Sequence, residues 1–383
     1  MKTRPGGEPS WSSIGLMTTA RNRQFCAAVF AVLALGVALA AQAPALPARL
    51  SDTEFWALEQ DISEPGGYFQ ITDNYTSNEA EVSEIFTMLR ETGVQGGVYL
   101  GVGPEQNLSY IAAIHPAMAF IVDIRRQAVM QHLMFKAMFE LARDRADFIS
   151  ILFSKPRPDG IDDATPIQQI WDAYSRVPTN NEAITANAAR VVERLTKTHG
   201  FTFTPDESNQ LALVLNAFAE YGPVISTRGA PGGRGGGNGA TFADLTGRSR
   251  DVSGQPQSFL STEENFRYVK TLHEKNLIVP VSGDFGGPKA LRAIGMYLKT
   301  HGGTVSGFYV SNVEQYLFQD RKDRAFYDNV ATLPITDSTV FIRPYSLRRS
   351  SSAAQSLCGI SGFLNAVGQG RIRSNNDSLA CAR

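Results

Sequence analysis

Two glycines and an aspartate have the types and spacing of a nucleotide-cofactor site. The stretch VYLGVGPEQN, residues 98–107, places Gly101 and Gly103 directly after a short run of strand-forming residues. Glycine at such a turn lets backbone approach a ligand closely. Asp123 ends the next apolar run, about 20 residues further on, where a carboxylate can accept hydrogen bonds from a ribose diol. We therefore expect these three residues to contact a nucleoside-type cofactor.

The residues around the second glycine favour S-adenosylmethionine over a dinucleotide. A dinucleotide turn of the GxGxxG type needs a third glycine where this chain has Gln106, and Pro104 removes an amide that could hold a phosphate. S-adenosylmethionine carries no phosphate. Glu105 and Asn107 complete the predicted cofactor contacts. The alternative is a tight turn and a capped strand end that bind no ligand.

A second polar group follows two later apolar runs, which we predict to be the fourth and fifth strands. Asp284 with Phe285 follows the first of these runs, and Asn312 follows the second, with Glu314 and Tyr316 close behind. A carboxylate in such a place can orient or deprotonate a nucleophile. We predict Asp284, Asn312 and Glu314 as catalytic residues and the two aromatic residues as substrate contacts. The alternative is that Asp284 and Asn312 cap a turn and a helix.

Further substrate contacts are predicted outside these strand ends. Tyr68, Asp73, Asn74 and Glu79 fall in a loop before the first predicted strand, where a flap over the cofactor would lie. Asn265 follows two glutamates at the start of a helix, although favourable charge at a helix start alone explains those acids. The five histidines have no metal-ligand spacing, and helix capping accounts for them, so we expect no metal.

The order of apolar runs predicts an α/β fold with a doubly wound, mostly parallel sheet. Runs with helical periodicity separate the first three predicted strands, as parallel strands require. Four of the six predicted strands are residues 98–100, 119–122, 148–153 and 339–345. The fourth strand and its loop cover residues 277–287, and the fifth strand passes into a helix near Asn312 within residues 304–318.

The predicted sheet has two parts separated by an insertion. The first half covers residues 51–159 and the second covers 261–346. Residues 160–225 read as helices only, and residues 226–260 contain a glycine-rich loop. That loop lacks the GKS/T ending of a phosphate-binding loop, so we interpret it as a mobile loop or lid.

The N-terminus resembles a secretory signal. Positive charges precede an uncharged run over residues 25–43, and small residues suit cleavage after Ala40. The run is short for a membrane span, which needs about 20 apolar residues. Residues 1–40 are therefore predicted to be a signal peptide, with an uncleaved membrane anchor as the alternative, and Met17 is a candidate for the true start. A cleaved chain would be periplasmic or secreted.

Composition fits an exported protein that binds a small molecule. Lys and Arg (36) balance Asp and Glu (37), so no electrostatic case exists for nucleic acid. Contact with a membrane is expected only through an uncleaved N-terminus. Cys358 and Cys381 would be the cysteines of the mature chain, and export favours their pairing. The disulfide would staple a low-complexity tail, residues 347–383, that we otherwise expect to be loose.

Five sequence blocks together resemble a poorly characterised bacterial family. The blocks are GVYLGVGPEQN with VDIRR, EPGGYF with DN and SNE, EENFRYV, LIVPVSGDFGG and FYVSNVEQYL, spread over residues 51–345. That family is grouped by fold with class I S-adenosylmethionine-dependent methyltransferases, which have Rossmann-like sheets. The resemblance implies an acid or amide beside an aromatic residue after the fourth strand. It also implies an acid two residues before the first glycine, where this chain has Tyr99.

Two functions follow from these observations. The first is a methyltransferase-like enzyme that uses S-adenosylmethionine on an unidentified acceptor, for which positioning suffices without a metal. The second is an exported, non-catalytic protein that binds a small ligand or serves as a scaffold. The signal favours the second function, because S-adenosylmethionine is made inside the cell. Tyr99 also favours it, because it stands where the methyltransferase pattern has an acid. Asp123 and the polar strand ends favour the first.

Overall fold

Six strands form one mostly parallel sheet in the computed structural model, which describes residues 45–70, 74–79, 82–227, 240–345 and 354–381. The sheet order is β3-β2-β1-β4-β5-β6, and β6 alone runs antiparallel to its neighbour. The predicted α/β class and mostly parallel sheet are confirmed. The strands are β1 Val98–Gly101, β2 Met118–Asp123, β3 Ile278–Ser282, β4 Val305–Tyr309, β5 Val340–Tyr345 and β6 Ala354–Gly359.

Fifteen α-helices accompany the sheet within the described residues. Those before the glycine-rich loop are α1 Asp52–Ile62, α2 Ser83–Glu91, α3 Gln106–Ile114, α4 Arg126–Leu141, α5 Arg145–Phe153, α6 Ile167–Ser175, α7 Asn181–Glu193 and α8 Pro205–Tyr221. Those after it are α9 Phe242–Gly247, α10 Glu263–Glu274, α11 Ala290–Thr300, α12 Val313–Gln319, α13 Asp323–Val330, α14 Ile360–Gly368 and α15 Asn375–Leu379.

The central strands place several polar loops at one edge of the sheet. All residues of β1, β2 and β3 are buried, as expected for parallel strands covered on both faces. β1 pairs in parallel with both β2 and β4, so the order of strands along the sheet reverses between β1 and β4. The carboxyl ends of β1 to β4 therefore share one edge, and the loops that follow them lie close together.

The predicted strand over residues 148–153 is wrong, because these residues belong to helix α5. Asp144 begins the helix by accepting a hydrogen bond from the backbone N–H of Asp147. Phe148 packs against Phe139, with ring centroids 4.5 Å apart. A short helix that is apolar on most sides has no visible 3.6-residue period. Consequently, the runs predicted as the fourth and fifth strands are β3 and β4.

The region between residues 160 and 225 contains helices only. Helices α6, α7 and α8 occupy it, with a π-helical turn at Arg194–Thr198 and a 3₁₀ turn at Gly222–Val224. Glu207 in the first turn of α8 accepts a hydrogen bond from Arg126 of α4, at 2.6 Å. This pair fastens α8 beside the end of β2. Residues 228–239 of the glycine-rich loop lie outside the described residues, so the lid stays a prediction.

Residues 354–381, the described part of the C-terminal tail, form regular structure, contrary to the predicted loose segment. They contribute the edge strand β6 and the helices α14 and α15. The disulfide between Cys358 and Cys381 is present, as the cysteine count predicted. It joins β6 to the residues after α15. The tail thus completes the edge of the sheet and covers β5.

The predicted N-terminal signal lies outside the described residues. Among the residues that are described, no helix has the length and apolar character that a bilayer crossing needs. Whether residues 1–40 are cleaved or anchor the chain stays a prediction.

Reduction of the disulfide should destabilise the protein. The two cysteines are 23 residues apart in sequence, and closing a loop of that length in the unfolded chain is worth about 3 kcal/mol. We expect urea unfolding of the purified chain to shift to lower urea in dithiothreitol, and Cys381→Ser to show the same shift without reductant. An unchanged midpoint in dithiothreitol would contradict this prediction.

Candidate functional site

A cavity of about 370 Å³ lies at the carboxyl ends of β1 to β4. Its size falls within the range of small-molecule sites, about 300–1,000 Å³. Eight predicted site residues line it: Tyr68, Asn74, Gly103, Asp123, Asp284, Phe285, Asn312 and Tyr316. Six others do not: Glu79, Gly101, Glu105, Asn107, Asn265 and Glu314. The cavity is the candidate site.

The glycine turn, residues 101–104, is held from inside the protein by the side chain of Asn107. Its amide nitrogen donates to the carbonyl oxygens of Val102 at 2.9 Å, Gly103 at 3.1 Å and Pro104 at 2.7 Å. Asn107 is fully buried, so it shapes the turn and does not face a ligand. Its predicted cofactor contact is therefore corrected to a structural role.

The two glycines are needed for different reasons. Gly103 has φ +77°, which favours glycine, and a Cβ placed there would meet no atom within 4 Å. It therefore presents open space to the cavity. A Cβ on Gly101 would lie 1.9 Å from the Asn107 side-chain oxygen, so packing against Asn107 explains this glycine.

Tyr99 occupies the position where the methyltransferase pattern has an acid. It is fully buried, and its hydroxyl donates to the Asn107 side-chain oxygen at 2.9 Å. Burial raises the pKa of Tyr99 well above its usual value, so it stays neutral near pH 7. Tyr99 thus orients Asn107, which in turn fixes the glycine turn.

His132 supports the same turn from helix α4. Its Nε2 lies 2.9 Å from the carbonyl oxygen of Gly103, and the ring is 2% exposed. Burial lowers the pKa of His132 to about 4, so the ring is neutral and Nε2–H donates to the carbonyl. Helix capping was the wrong interpretation for this residue, which lies in the middle of α4.

Asp123 lines the cavity but is already paired. Its carboxylate accepts from the Arg125 side chain at 3.1 Å and 3.0 Å and from the Arg125 backbone N–H at 2.9 Å. A carboxylate has about four acceptor sites, so about one remains for a ligand. Arg125 also lines the cavity. Asp123 can therefore offer a ribose one hydrogen bond without leaving Arg125.

Asp284 is also paired. One of its oxygens accepts from Lys322 at 2.7 Å, and the other accepts from the backbone N–H of Gly286 at 2.9 Å. The neighbouring Glu64 accepts the backbone N–H groups of Lys289 and Ala290, at 2.8 Å and 2.9 Å, where α11 begins. That helix start is filled by the protein's own carboxylate. The loop after β3 thus offers the cavity a carboxylate that a lysine neutralises.

Aromatic side chains form part of the cavity wall. Phe285 is 3% exposed and stacks on Phe326, with centroids 5.3 Å apart, so it is mainly a core residue. Tyr316 packs edge-on against Phe69, with centroids 4.9 Å apart. Tyr68 is 82% exposed. These rings give the cavity surfaces on which a planar group can pack.

The turn after β4 brings Ser311 and Asn312 to the cavity. Ser311 has φ +46°, a left-handed conformation that is unusual for a residue other than glycine. Its hydroxyl donates to Glu79 at 2.6 Å. Asn312 precedes α12, but its side chain makes no capping hydrogen bond. Its amide is therefore not used by the helix start.

Glu314 and Asn265 are not part of the site. Glu314 is 2% exposed and forms an ion pair with buried Arg343 at 2.7 Å, and it accepts from the Tyr327 hydroxyl at 2.7 Å. It therefore joins α12 to β5 and α13 as a structural residue. Asn265 donates to the carbonyl of Ser258 at 3.0 Å and lies away from the cavity lining. Neither predicted role is supported.

Residues 74–79, here called the flap segment, lie where the flap was predicted and form part of the cavity wall. Its Asn74, Ser77 and Asn78 line the cavity, while Asp73 lies outside the described residues. Glu105 accepts the backbone N–H of Ser77 with both oxygens, at 3.1 Å and 3.0 Å. Glu105 therefore ties the flap segment to the glycine turn and does not contact the cavity.

Two buried carboxyl groups hold the flap segment. Glu105 is 1% exposed and Glu79 is 4% exposed, and burial raises the pKa of each to about 7. Their hydrogen bonds lower the pKa by less than burial raises it. Both carboxyl groups therefore change charge near neutral pH, Glu79 at the end of the flap segment and Glu105 directly after the glycine turn.

Several residues of the cavity wall were missed. Arg125 and Lys322 carry no ligand signal in sequence, since they matter through their pairing with acids at strand ends. Thr227 closes the flap segment by donating to the Ser77 carbonyl at 3.1 Å. Ser311 precedes the predicted Asn312 and could have been found as a small polar residue at the same strand end.

The comparisons with known proteins identify a family. The family model described as Domain of unknown function (DUF7790) matches residues 75–212 and 241–361. These ranges cover about two thirds of the chain, so the chain belongs to that family. No curated protein matches the sequence.

A double-mutant cycle should show that Gly101 serves packing. We expect Gly101→Ala to destabilise the protein by about 1–3 kcal/mol, because the new Cβ overlaps the Asn107 side chain. The cost should be smaller in an Asn107→Ala background, where that overlap is absent. Urea unfolding of the four proteins measures the coupling. Equal costs in both backgrounds would contradict the packing role.

The raised pKa values predict a dependence of stability on pH. The pKa of Glu79 and of Glu105 is raised from 4.5 to about 7, so folding favours the protonated groups. Each group contributes up to about 3 kcal/mol to the free energy of unfolding. This contribution is complete below about pH 4.5 and is lost as the pH rises through about 7. We expect the free energy of unfolding of wild type to fall between about pH 5.5 and pH 8 relative to the Glu79→Gln/Glu105→Gln variant.

Urea denaturation at both pH values tests this dependence. Exposed Glu84 provides a matched control, since Glu84→Gln should follow wild type. If the double variant also follows wild type at both pH values, the two carboxyl groups do not control stability in this range.

Proposed function

We propose that the cavity binds a nucleoside-type small molecule, with S-adenosylmethionine as the candidate, on a class I methyltransferase-like fold. The observation that carries the proposal is the convergence of four strand ends on one cavity. Gly103 follows β1, Asp123 ends β2, Asp284 follows β3, and Ser311 with Asn312 follows β4. In parallel sheets, ligands bind where the order of strands reverses, which here is between β1 and β4.

The order of strands supports a doubly wound sheet. The order 3-2-1-4-5-6 is the one found in dinucleotide-binding folds of this kind. The glycine turn lies at the reversal, as that arrangement requires. It ends at Pro104, which has no N–H for a phosphate, and this again supports a ligand without phosphates.

The residues along the cavity match successive parts of such a ligand, from the base and ribose to the methyl group. Gly103 leaves open space for close approach at the centre. The free acceptor site of Asp123 suits a ribose hydroxyl, and Asp284, one strand further out, suits the amino group of a base. S-adenosylmethionine, when bound, supplies an activated methyl group. The opposite end of the cavity, after β4, would then receive the methyl acceptor.

Of the two residues predicted near the acceptor, Asp284 and Asn312, the corrected strand numbering favours Asn312. The resemblance implies an amide or acid beside an aromatic residue after the fourth strand, and β4 is followed by Asn312 and Tyr316. The Asn312 side chain caps no helix, so its amide can orient an acceptor. Glu314 is excluded from this role because it is paired with Arg343 inside the protein.

A second candidate function is ligand binding without methyl transfer. Both acids that line the cavity at strand ends are neutralised, Asp123 by Arg125 and Asp284 by Lys322. Neither is therefore a free general base, which favours a binding protein. We also propose that the chain is exported, and the disulfide between Cys358 and Cys381 supports an oxidising compartment.

Isothermal titration calorimetry with S-adenosylmethionine and S-adenosylhomocysteine tests the proposed ligand. We expect both to bind wild type, and Asp123→Asn to weaken binding at least tenfold, since one charge-assisted hydrogen bond is worth about 1.5–3 kcal/mol. The matched control is Asp328→Asn, an exposed acid on α13 that should bind as wild type does. Failure of folded wild type to bind either compound would contradict the proposal.

Methyl transfer separates the two candidate functions. Incubation of the purified protein with S-adenosylmethionine and a small-molecule extract of cells should yield S-adenosylhomocysteine if the protein is an enzyme. We expect Asn312→Ala to reduce that yield at least tenfold while the cofactor still binds. Binding without any turnover would favour the non-catalytic function.

A further inference from the structure

We propose that Glu79 and Ser311 recognise an ammonium group of the ligand, with Ser311 accepting its N–H and Glu79 supplying the opposite charge. The inference rests on the proposed function, because it concerns the amino-acid part of an S-adenosylmethionine-type ligand. It is carried by the position of Glu79, which lies directly behind a hydroxyl of the cavity wall.

Glu79 is a buried carboxyl group without a cation. Its Oε1 accepts from Ser311 at 2.6 Å, its Oε2 meets no donor in hydrogen-bond geometry among the described residues, and the neighbouring Tyr309 hydroxyl lowers its pKa by less than burial raises it. No Lys, Arg or His in the described part of the chain forms an ion pair with it, whereas Asp123 and Asp284 each have one. An ionised carboxyl group in such a place is costly until a cation arrives. The missing positive charge points to a cationic ligand.

Ser311 is placed to connect the ligand with Glu79. It lines the cavity, and its hydroxyl hydrogen is donated to Glu79. With the Tyr309 hydroxyl also in contact with Ser311, one lone pair of the Ser311 oxygen remains to accept a hydrogen bond. The turn keeps Ser311 at φ +46°, a left-handed conformation that is unfavourable for a residue other than glycine. An ammonium group can donate N–H to this oxygen, whereas a sulfonium group has no hydrogen to donate.

Among Glu79 and the tyrosines around it, Glu79 alone titrates near neutral pH. Tyr309 of β4 and Tyr99 of β1 are its titratable neighbours, and Tyr110 of α3 lies beside both of these tyrosines. Burial raises the pKa of Tyr99 and Tyr309 well above 10, so these hydroxyls stay neutral. Burial raises the pKa of Glu79 to about 7. An arriving ammonium group favours the ionised form, so binding should release a proton.

Calorimetry with three probes at several pH values tests the inference. S-adenosylmethionine has an ammonium and a sulfonium group, S-adenosylhomocysteine has the ammonium group alone, and 5′-methylthioadenosine has neither. We expect S-adenosylhomocysteine to release about half a proton near pH 7, measured from the buffer dependence of the enthalpy. Its affinity for wild type should rise about tenfold between about pH 6 and pH 8, relative to Glu79→Gln.

Variants separate this contact from a general effect on folding. Glu79→Gln keeps an acceptor for Ser311 but loses the charge, so proton release should vanish while circular dichroism is unchanged. Ser311→Ala should weaken S-adenosylhomocysteine about threefold to tenfold. Binding of 5′-methylthioadenosine should be the same in wild type and both variants. Glu84→Gln, an exposed change on α2, is the matched control and should retain proton release.

Each contrary result has a distinct meaning. If S-adenosylhomocysteine binds Glu79→Gln with the same proton release as wild type, the inference is wrong and the proposed function stands. If Glu79→Gln affects S-adenosylmethionine alone, the sulfonium group is recognised and the ammonium assignment is overturned. If none of the three probes binds folded wild type, the proposed function fails and the inference fails with it.

Discussion

The candidate site depends on the hydrogen bonds of one buried amide, that of Asn107. Its side chain holds three successive carbonyl groups of the glycine turn, and Tyr99 orients it from β1. Because three of these partners are backbone carbonyl groups, the protein's own hydrogen bonds fix the shape of the turn. An unsatisfied buried amide would cost about 1–3 kcal/mol, so the arrangement resists change. Gly101 is glycine because Asn107 occupies the space beside it.

Charged and titratable side chains hold the other parts of the cavity around the glycine turn. Arg125 pairs with Asp123, and Lys322 pairs with Asp284, so two strand ends carry acids that are neutral as pairs. The flap segment is held by Glu105 and, through Ser311, by Glu79. Those last two carboxyl groups have no ion-pair partner among the described residues and a pKa raised to about 7. Hydrogen bonds therefore fix the glycine turn, whereas the charge next to the flap segment changes with pH.

The sequence predicted the sheet and the cavity more reliably than the roles of individual residues. Residues 98–100 and 119–122 were recognised as strands because buried parallel strands are apolar on both faces. The same rule failed for residues 148–153, since a short buried helix is also apolar throughout. Asp144 and Asp147 before that run have N-cap spacing and were the signal that could have corrected it. That error made Asp284 the residue after the fourth predicted strand.

Long-range pairs could not be read from the sequence. Glu314 meets Arg343, and Glu79 meets Ser311, only because the fold brings distant segments together. Sequence spacing therefore predicted that Glu314 faces the cavity, whereas a cation 29 residues away holds it inside the protein. In contrast, Gly103 and Asp123 were found correctly as cavity residues, because the ends of adjacent parallel strands must lie side by side.

We propose that S-adenosylhomocysteine binds where the four strand ends meet. Hydrogen–deuterium exchange with and without this ligand is the most direct test. With ligand bound, we expect slower exchange in five places: the glycine turn, the loop after β2, the loop after β3, the turn after β4 and the flap segment. Other surfaces should be unchanged. Unaltered exchange in these five places at saturating ligand, or protection confined to another surface, would show that the ligand does not bind at the strand ends.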